Sequence, residues 1–220
     1  GFQCAGAFDF EKSAIDTHRK NITGHAQEVD LSSPSDDVFS ALSSADIILA
    51  GPPCQGFSTA GKNDPDDERN NHLFKVAELA SGSSASIVVI ENVRGLLAKK
   101  NQRHLALCLS KLEEAGFQIT YKLFDLSKFG VAQSRKRVII VASRTAHPID
   151  LNAIPETKNL TVGDVISKIP RTPNFLEKSY ALTSRDEKIA SCIQPGQKLS
   201  NVRSGESSIH TWDIPQVFGE

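Results

Sequence analysis

Short apolar runs alternate with amphipathic stretches over the first two thirds of the 220-residue chain. This alternation is typical of an α/β domain with a mainly parallel sheet. The runs Asp46-Ile-Ile-Leu-Ala and Ile87-Val-Val-Ile are continuously apolar, as expected for central strands covered on both faces. The pattern predicts strands at residues 4–9, 46–51, 86–92, 118–125 and 137–143. It predicts helices at residues 11–21, 71–80 and 104–115, and Gly116 is placed to end the last of them.

The pattern changes beyond Arg144. Six prolines break the remainder into short pieces, and only residues 162–169 look like a helix. We therefore predict a boundary near residue 146. Residues 1–146 form the α/β domain, and residues 147–220 belong to a smaller, irregular domain that we expect to be incomplete.

Composition narrows the possible classes of protein. The chain is 39% hydrophobic and 23% charged, so it can bury a sizeable core. Its net charge of -1 means that any contact with a polyanion must come from local clusters of Lys and Arg. No apolar run approaches the roughly 20 residues that span a bilayer, and no signal peptide is recognisable. We therefore expect a cytoplasmic protein.

The cysteines do not form a metal-binding or disulfide pattern. All four lie far apart without a CxxC pair, and the six histidines complete no zinc spacing. Cys4, Cys108 and Cys192 are interpreted as small buried hydrophobes. The chain contains no methionine and begins at Gly1, which we interpret as the sign of a fragment.

Cys54 requires a separate interpretation. It follows a predicted apolar strand, in the segment Gly51-Pro-Pro-Cys-Gln-Gly-Phe-Ser58. Open α/β sheets place ligands at the carboxyl ends of their strands, and two prolines stiffen the approach to this thiol. Cys54 is therefore a candidate nucleophile, with a buried structural cysteine as the alternative.

Two further segments place polar side chains at strand ends. Glu91 lies at the end of the next apolar strand, in Ile90-Glu-Asn-Val93. The segment Gln133-Ser-Arg-Lys-Arg137 opens the last strand, and alternation predicts Gln133, Arg135 and Arg137 on one face. Taken separately, these are an ordinary strand-end carboxylate and a solvated edge. Together with Cys54 they predict a reactive site.

Three segments resemble motifs of the cytosine-5 methyltransferases. GPPCQGFS, ENV and QSRKR, in this order and at this separation, are similar to the Pro-Cys-Gln, Glu-Asn-Val and Gln-x-Arg-x-Arg motifs of that family. The resemblance covers roughly residues 1–144 and includes Phe129-Gly-Val131, His72-Leu-Phe74, Asp9 and Asp30-Leu31. It implies the Rossmann-like α/β fold of S-adenosylmethionine-dependent methyltransferases, with helices on both faces of the sheet. The start of a target-recognition domain would follow.

The resemblance also implies a reaction. Cys54 would attack C6 of a cytosine flipped out of double-stranded DNA. Glu91 would hydrogen-bond the edge of the base, Arg137 would hold its O2 side, and Arg135 would steady the cysteine segment. The implied cofactor is S-adenosyl-L-methionine, with binding residues Asp9, Phe10, Asp30, Leu31 and Pro52. The expected contacts with the substrate base or the DNA are Gln55, Ser58, Lys62, Asn92 and Gln133.

The chain lacks three motifs of the family pattern. The Phe-x-Gly-x-Gly motif that opens these enzymes is absent, and so are the family's two last motifs. We therefore expect these residues alone to bind S-adenosylmethionine weakly, with the missing motifs supplied by another segment or a second polypeptide. Asp9 and Asp30 keep an alternative interpretation as helix-capping or loop carboxylates.

The sequence indicates a bacterial or phage modification enzyme that works in the cytoplasm on nucleoid DNA. One alternative is a tRNA cytosine-5 methyltransferase, because the Pro-Cys motif does not separate the two. A second is a thiol hydrolase that pairs Cys54 with a histidine, for which His72 is the nearest in sequence. A third is a catalytically incomplete DNA-binding fragment.

Overall fold

The structure is a computed structural model that describes residues 1–53, 71–169 and 183–194. The strands in these ranges are β1 (Ala7–Asp9), β2 (Ala26–Glu28), β3 (Ile47–Ala50), β4 (Ile87–Val93), β5 (Gln118–Asp125) and β6 (Lys136–Ser143). The α-helices are α1 (Lys12–Asn21), α2 (Asp36–Ser44), α3 (Asn71–Ser81), α4 (Gln102–Glu114), α5 (Val162–Ile166) and α6 (Ser184–Ser191). Short 3-10 helices span Arg94–Leu97, Lys99–Asn101 and Leu126–Phe129.

The strands form two sheets. Strands β1 and β2 pair in parallel, and the other four have the order β3-β4-β6-β5. Strands β3, β4 and β5 run in one direction, whereas β6 lies between β4 and β5 and is antiparallel to both. The expectation of a mainly parallel sheet therefore needs correction in this sheet. The segment between β5 and β6 is too short for a parallel crossover, which needs a dozen or more residues, so the chain turns back beside β5.

The core lies on both faces of the β4–β6 pair. One face, with Val88 and Ile90 of β4, packs against α3 and α4. Among the described residues, the other face is covered by the segments that follow β5 and β6, where Leu151 packs with Phe124 and Val141. The apolar run of β4 is covered on both faces as predicted, whereas β3 lies at the edge of this sheet and its Leu49 is 77% exposed.

The end of α4 shows how sequence determines a boundary. Gly116 has φ +84°, a conformation that costs other residues roughly 1–2 kcal/mol. Its N–H donates to the Glu113 carbonyl, and the Phe117 N–H donates to the Leu112 carbonyl, both at 2.9–3.1 Å. This pairing is a Schellman motif, and Phe117 and Leu112 both lie in the core. The predicted helix stop at Gly116 is confirmed.

Among the described residues, one strand and two α-helices were not predicted. They are β2, α2 and α6, which span 3, 9 and 8 residues. Helix α2 did carry a signal, since Asp36 and Asp37 occupy its first turn after Ser35 and Val38 is buried. Such short segments show too few periods for the pattern to be recognised.

The first compact unit extends beyond the predicted boundary near residue 146. It comprises Gly1–Ile166, and the second unit comprises Ser167–Glu220, in which α6 is described. Residues after 146 belong to the first unit because they pack and bond to it. Leu151 is 6% exposed, the Thr120 hydroxyl donates to the Ile149 carbonyl at 2.9 Å, and Lys128 pairs with Glu156 at 3.1 Å.

No helix in the described part of the chain is long and apolar enough to cross a membrane.

Candidate active site

Glu91 and Arg137 meet at the carboxyl edge of β4. In the antiparallel register of β4 and β6, Glu91 lies opposite Ile139 and Val93 lies opposite Arg137. Glu91 and Arg137 are therefore diagonal neighbours on one face of the sheet. The Arg137 Nε lies 2.7 Å from the Glu91 Oε1, the distance of a charge-assisted hydrogen bond. The structure thus brings together two residues of the predicted reactive site.

Arg137 is held in place by its contacts, whereas Glu91 remains accessible to solvent. The Arg137 side chain is 19% exposed, and its Nη1 donates to the Lys136 carbonyl at 2.9 Å. The Glu91 side chain is 44% exposed, with only its Oε1 directed at the arginine. The arginine thus orients a carboxylate that a ligand can still reach. Such a carboxylate can accept hydrogen bonds from the amino or ring N–H groups of a base.

The predicted alternation of Gln133, Arg135 and Arg137 along one strand needs correction. Strand β6 begins at Lys136, so only Arg137 lies within it. Gln133 is exposed and lies in a bend, where its N–H donates to the Val131 carbonyl at 2.8 Å. The Arg135 carbonyl accepts the Leu126 N–H at 2.8 Å, which ties the start of β6 to the end of β5. The local turn, and not the strand period, sets the directions of these residues.

Asn92 is buried, whereas its neighbour Glu91 is not. Strand alternation places Asn92 on the face of Val88 and Ile90, and it is 1% exposed. Its Nδ2 donates to the carbonyl of buried Pro52 in a long hydrogen bond of 3.5 Å. A contact of Asn92 with DNA finds no support in this environment. The side chain instead links the end of β4 to the residues that precede Cys54.

Two carboxylates lie just beyond the ends of β1 and β2. The Asp9 Oδ1 accepts the Glu11 N–H at 2.8 Å, and the Asp30 Oδ1 accepts the Ser32 N–H at 2.8 Å. Backbone and side-chain hydrogen bonds from Ser32 lower the pKa of Asp30, and the charge of His72 contributes. Both aspartates are exposed. They therefore form the local turns that the alternative interpretation predicted, while the ends of adjacent parallel strands present them together.

Other predicted cofactor residues differ in exposure. Phe10 is 71% exposed and Leu31 is partly buried. Both follow the same strand ends as Asp9 and Asp30, which is the carboxyl edge where open α/β sheets bind ligands. The structure thus brings the predicted cofactor residues of β1 and β2 to one edge.

Four predicted residues lie outside the described residues. They are Cys54, Gln55, Ser58 and Lys62. The roles given to them remain predictions.

The structure supports the interpretation of Cys108 as a small hydrophobe. Cys108 is 0% exposed within the core that α3 and α4 form with the sheet. Burial raises the pKa of its thiol to about 12, so it is protonated near neutral pH. Among the described residues, no group of three or more His, Cys, Asp or Glu side chains could hold a metal ion.

One feature near the site was not singled out from the sequence. Arg94, Lys99 and Arg103 follow Glu91 closely and are exposed. The sequence did contain a signal for this local positive charge, because it has no Asp or Glu between Glu91 and Glu113.

The comparisons with known proteins agree with the motifs. The sequence profile of the family described as C-5 cytosine-specific DNA methylase matches residues 1–211. The Type II methyltransferase M.HgiBI of Herpetosiphon aurantiacus is 27% identical, over 97% of this chain and 52% of its own length. The Type II methyltransferase M1.HphI of Haemophilus parahaemolyticus is 31% identical, over 93% of this chain and 56% of its own length. The chain spans about half the length of the curated relatives it matches.

A solved structure has a similar fold. The methyltransferase EhMeth of Entamoeba histolytica superposes with a TM-score of 0.56 at 20% identity. The match covers 70% of this chain and 48% of that protein. This likeness confirms the predicted methyltransferase-type α/β fold.

Proposed function

The chain belongs to the C-5 cytosine-specific DNA methylase family, and from this membership we propose that it is the catalytic part of an S-adenosylmethionine-dependent DNA cytosine-5 methyltransferase. The observation that carries the proposal is the 2.7 Å contact between Glu91 and Arg137 at the edge where β3 leads towards Cys54. Since the chain spans about half of its relatives' length, the activity is proposed for the full-length protein.

In the proposed mechanism Cys54 is the nucleophile. Cytosine C5 is too weak a nucleophile to take a methyl group directly. The Cys54 thiolate adds to C6, which forms an S–C bond and places the electron pair of the C5–C6 double bond on C5. C5 then bonds to the methyl group as the bond between that methyl and the sulfonium sulfur of its donor breaks, with the electron pair left on sulfur. Loss of the C5 proton and elimination of the Cys54 thiolate restore the double bond and the free enzyme.

Glu91 and Arg137 act on the base during this addition. Glu91 accepts a hydrogen bond from the exocyclic amine and shares a proton with N3, where negative charge accumulates as the thiolate adds. Arg137 holds the O2 side and, through its 2.7 Å contact, also keeps the carboxylate in a single orientation. A preorganised pair needs no rearrangement as the charge develops, so its stabilisation favours the transition state.

Asn92 and Arg135 are proposed as positioning residues. Asn92 is fully buried between β4 and the Pro52 carbonyl, so it holds the segment that leads to Cys54. Arg135 lies just before β6 and steadies the cysteine segment with a cation that favours the thiolate.

The residues at the ends of β1 and β2 fit S-adenosylmethionine. Asp9 and Asp30 are exposed carboxylates at adjacent strand ends, with backbone N–H groups fixing one oxygen of each. Such carboxylates can accept hydrogen bonds from ribose hydroxyls and from an adenine amine. Exposed Phe10, partly buried Leu31 and buried Pro52 complete the proposed site, and the cofactor supplies an electrophilic methyl group when bound. The family's glycine-rich and final motifs are proposed to come from elsewhere in the protein or from a second polypeptide.

The proposed substrate is a cytosine flipped out of double-stranded DNA. C5 and C6 are inaccessible within a stacked duplex, so the base must leave the stack at a cost of a few kcal/mol. The proposed contacts with the base and the DNA are Gln55, Ser58, Lys62 and Gln133. The similarity to two Type II methyltransferases supports a bacterial or phage modification enzyme that works in the cytoplasm on nucleoid DNA.

A trapping experiment tests this proposal. The full-length protein is incubated with S-adenosylmethionine and duplex DNA that carries 5-fluorocytosine at the target position. Fluorine cannot leave C5 as a proton does, so the enzyme should remain covalently joined to the DNA through Cys54. Mass spectrometry of the cross-linked peptide identifies the residue.

Cys192→Ser is the matched control. The Cys192 Sγ donates to the Lys188 carbonyl at 3.1 Å, and a serine hydroxyl can make the same bond. This variant should trap normally, whereas Cys54→Ser should form no adduct. Methylation of tRNA but not of duplex DNA would favour the tRNA alternative. Normal methylation by Cys54→Ser would overturn the mechanism.

A further inference from the structure

The segment that follows Glu91 carries cations and no anions. Between Asn92 and Leu112 the sequence contains no Asp or Glu, while the whole chain has 26 of them. The cations in this segment are Arg94, Lys99, Lys100, Arg103 and Lys111. Because the chain as a whole has a net charge of -1, this concentration of positive charge is local.

Topology places most of these cations beside the candidate active site. Strands β4 and β5 run in the same direction, so α4, which connects them, runs back along the sheet. The beginning of α4 therefore lies at the carboxyl edge of β4, as Glu91 does, and Lys111 lies towards the opposite edge. Arg94 follows Glu91 by three residues, so their Cα atoms lie within about 11 Å. This distance is about the rise of three base pairs.

Some cations elsewhere in the described part of the chain are held in ion pairs. Lys12 and Arg19 both contact Asp16, Lys75 contacts Glu78, and Lys128 contacts Glu156.

Arg94, Lys99 and Arg103 are exposed, and no ion pair joins them to another described residue. The first turn of α4 contains no acidic side chain, although the partial positive charge of a helix start favours one. The start of α4 therefore carries positive charge, although a negative charge there would stabilise the helix.

We propose that Arg94, Lys99, Lys100 and Arg103, the basic edge, bind phosphates of duplex DNA beside the flipped cytosine. This inference rests on the proposed function, because it takes the neighbouring site to hold a base of the same DNA. Exposed Lys and Arg side chains on a short segment are suited to phosphate oxygens, which provide affinity and register without sequence information. The basic edge therefore positions the duplex, and it leaves the choice of sequence to other residues.

The test compares two double variants of the full-length protein with equal loss of charge. Lys99→Gln/Arg103→Gln removes two cations of the basic edge. Lys20→Gln/Lys111→Gln removes two exposed or partly exposed cations near the ends of α1 and α4. Fluorescence anisotropy gives the affinity for a short labelled duplex over a series of salt concentrations. Thermal melting confirms that each variant is folded.

We expect the basic-edge variant to bind DNA roughly tenfold more weakly at low salt. Its plot of log affinity against log salt should be less steep by about 2, because each lost phosphate contact removes about 0.9 from the slope. The loss should be the same for duplexes of unrelated sequence. The control variant should retain the wild-type slope.

Equal slopes for the wild type and both variants would overturn the inference and leave the proposed function untouched. An equal loss in both double variants would also overturn it, because the effect would then come from overall charge. Absence of DNA binding by the wild type would overturn it too. That last result would count against the proposed function only if 5-fluorocytosine trapping through Cys54 also failed.

Discussion

At the scale of single residues, Glu91 is expected to contribute little to stability. Its pairing with Arg137 involves a carboxylate that is 44% exposed, and pairs of this kind contribute about 0–1 kcal/mol to folding. Asn92, the next residue along the chain, is instead buried. Strand alternation thus places the proposed base-contacting residue and the proposed positioning residue on opposite faces at consecutive positions.

Glu91→Gln should impair turnover with little loss of stability. The amide keeps the shape of the side chain, but it removes the carboxyl group that Arg137 orients and that shares a proton with N3 of the base. We expect the single-turnover rate of DNA methylation by the full-length protein to fall by roughly 10²–10³. The free energy of unfolding should change by less than about 1 kcal/mol.

Glu113→Gln is the control for this prediction. Glu113 is exposed near the end of α4, so neither the methylation rate nor the free energy of unfolding should change. A Glu91→Gln enzyme with a near wild-type rate would show that the carboxylate does not stabilise the transition state.

Asp30 should titrate below the ordinary range of an aspartate. Hydrogen bonds from Ser32 lower its pKa in the folded state. A folded pKa below the unfolded value contributes stability above the unfolded pKa, near 4, and this contribution is lost as the pH falls through the folded pKa. Carbon-detected NMR of the side-chain carboxyl group measures the shift. Ser32→Ala should raise the pKa of Asp30 only in part, because the backbone N–H remains.

Ser33→Ala serves as the control for Asp30, because no side-chain contact of Ser33 with Asp30 contributes to the shift. An unchanged titration of Asp30 in Ser32→Ala would exclude the hydroxyl as a cause.

At the scale of elements, α4 has a typical C-terminal stop, whereas its first turn carries a charge that does not favour a helix start. Its last turn is closed by Gly116 and the Phe117–Leu112 hydrogen bond. Its first turn contains Arg103 and no acid. Cations at a helix start are unfavourable by about 0.3–1 kcal/mol each at exposed positions, so they are a poor choice for stability alone.

Arg103→Glu should stabilise the fold and weaken DNA binding at the same time. The carboxylate interacts favourably with the helix start, so the free energy of unfolding in urea should rise by about 0.3–1 kcal/mol at low salt. The same carboxylate repels phosphates, so the affinity for duplex DNA should fall. If Arg103 had a purely structural role, the free energy of unfolding and the DNA affinity would both decrease, or only the free energy of unfolding would change.

Lys111→Glu reverses the same charge at the other end of α4 and is the matched control for Arg103→Glu. A carboxylate in the last turn opposes the helix dipole, so this variant should be less stable by a similar amount. Its DNA affinity should exceed that of Arg103→Glu.

At the scale of the whole molecule, the first compact unit is larger than the sequence pattern indicates. The segment after residue 146 has few regular elements, yet Leu151 is 6% exposed against Phe124 and Val141. Hydrogen bonds from Thr120 to the Ile149 carbonyl and from Thr157 to the Lys128 carbonyl hold this segment on the sheet. It covers one face of the β4–β6 pair.

Leu151→Ala should therefore destabilise the whole first unit. Removal of a buried leucine typically costs about 2–5 kcal/mol, through lost burial and the cavity that remains. Urea denaturation of the chain measures this loss. Ile154→Ala is the control, because Ile154 is 44% exposed. A loss below about 0.5 kcal/mol for Leu151→Ala would show that the segment is not part of the core.

The sequence by itself determined the properties that depend on local periodicity. The bounds of β5 match the predicted residues 118–125, and α1, α3 and α4 lie within two residues of their predicted positions. Gly116 ends α4 because a left-handed residue is needed there. The placement of Glu91 and Arg137 near strand ends was also visible, since each flanks a continuous apolar run.

Only the tertiary structure decided how distant segments pair. The insertion of β6 between β4 and β5 sets the register that joins Glu91 to Arg137, and a shift of one residue would turn Arg137 to the other face. The burial of Asn92 against Pro52 and of Leu151 against Phe124 likewise depends on residues far away in the sequence. The periodicity of one segment contains no information about its partner, because pairing is selected by hydrogen-bond ladders and packing between segments.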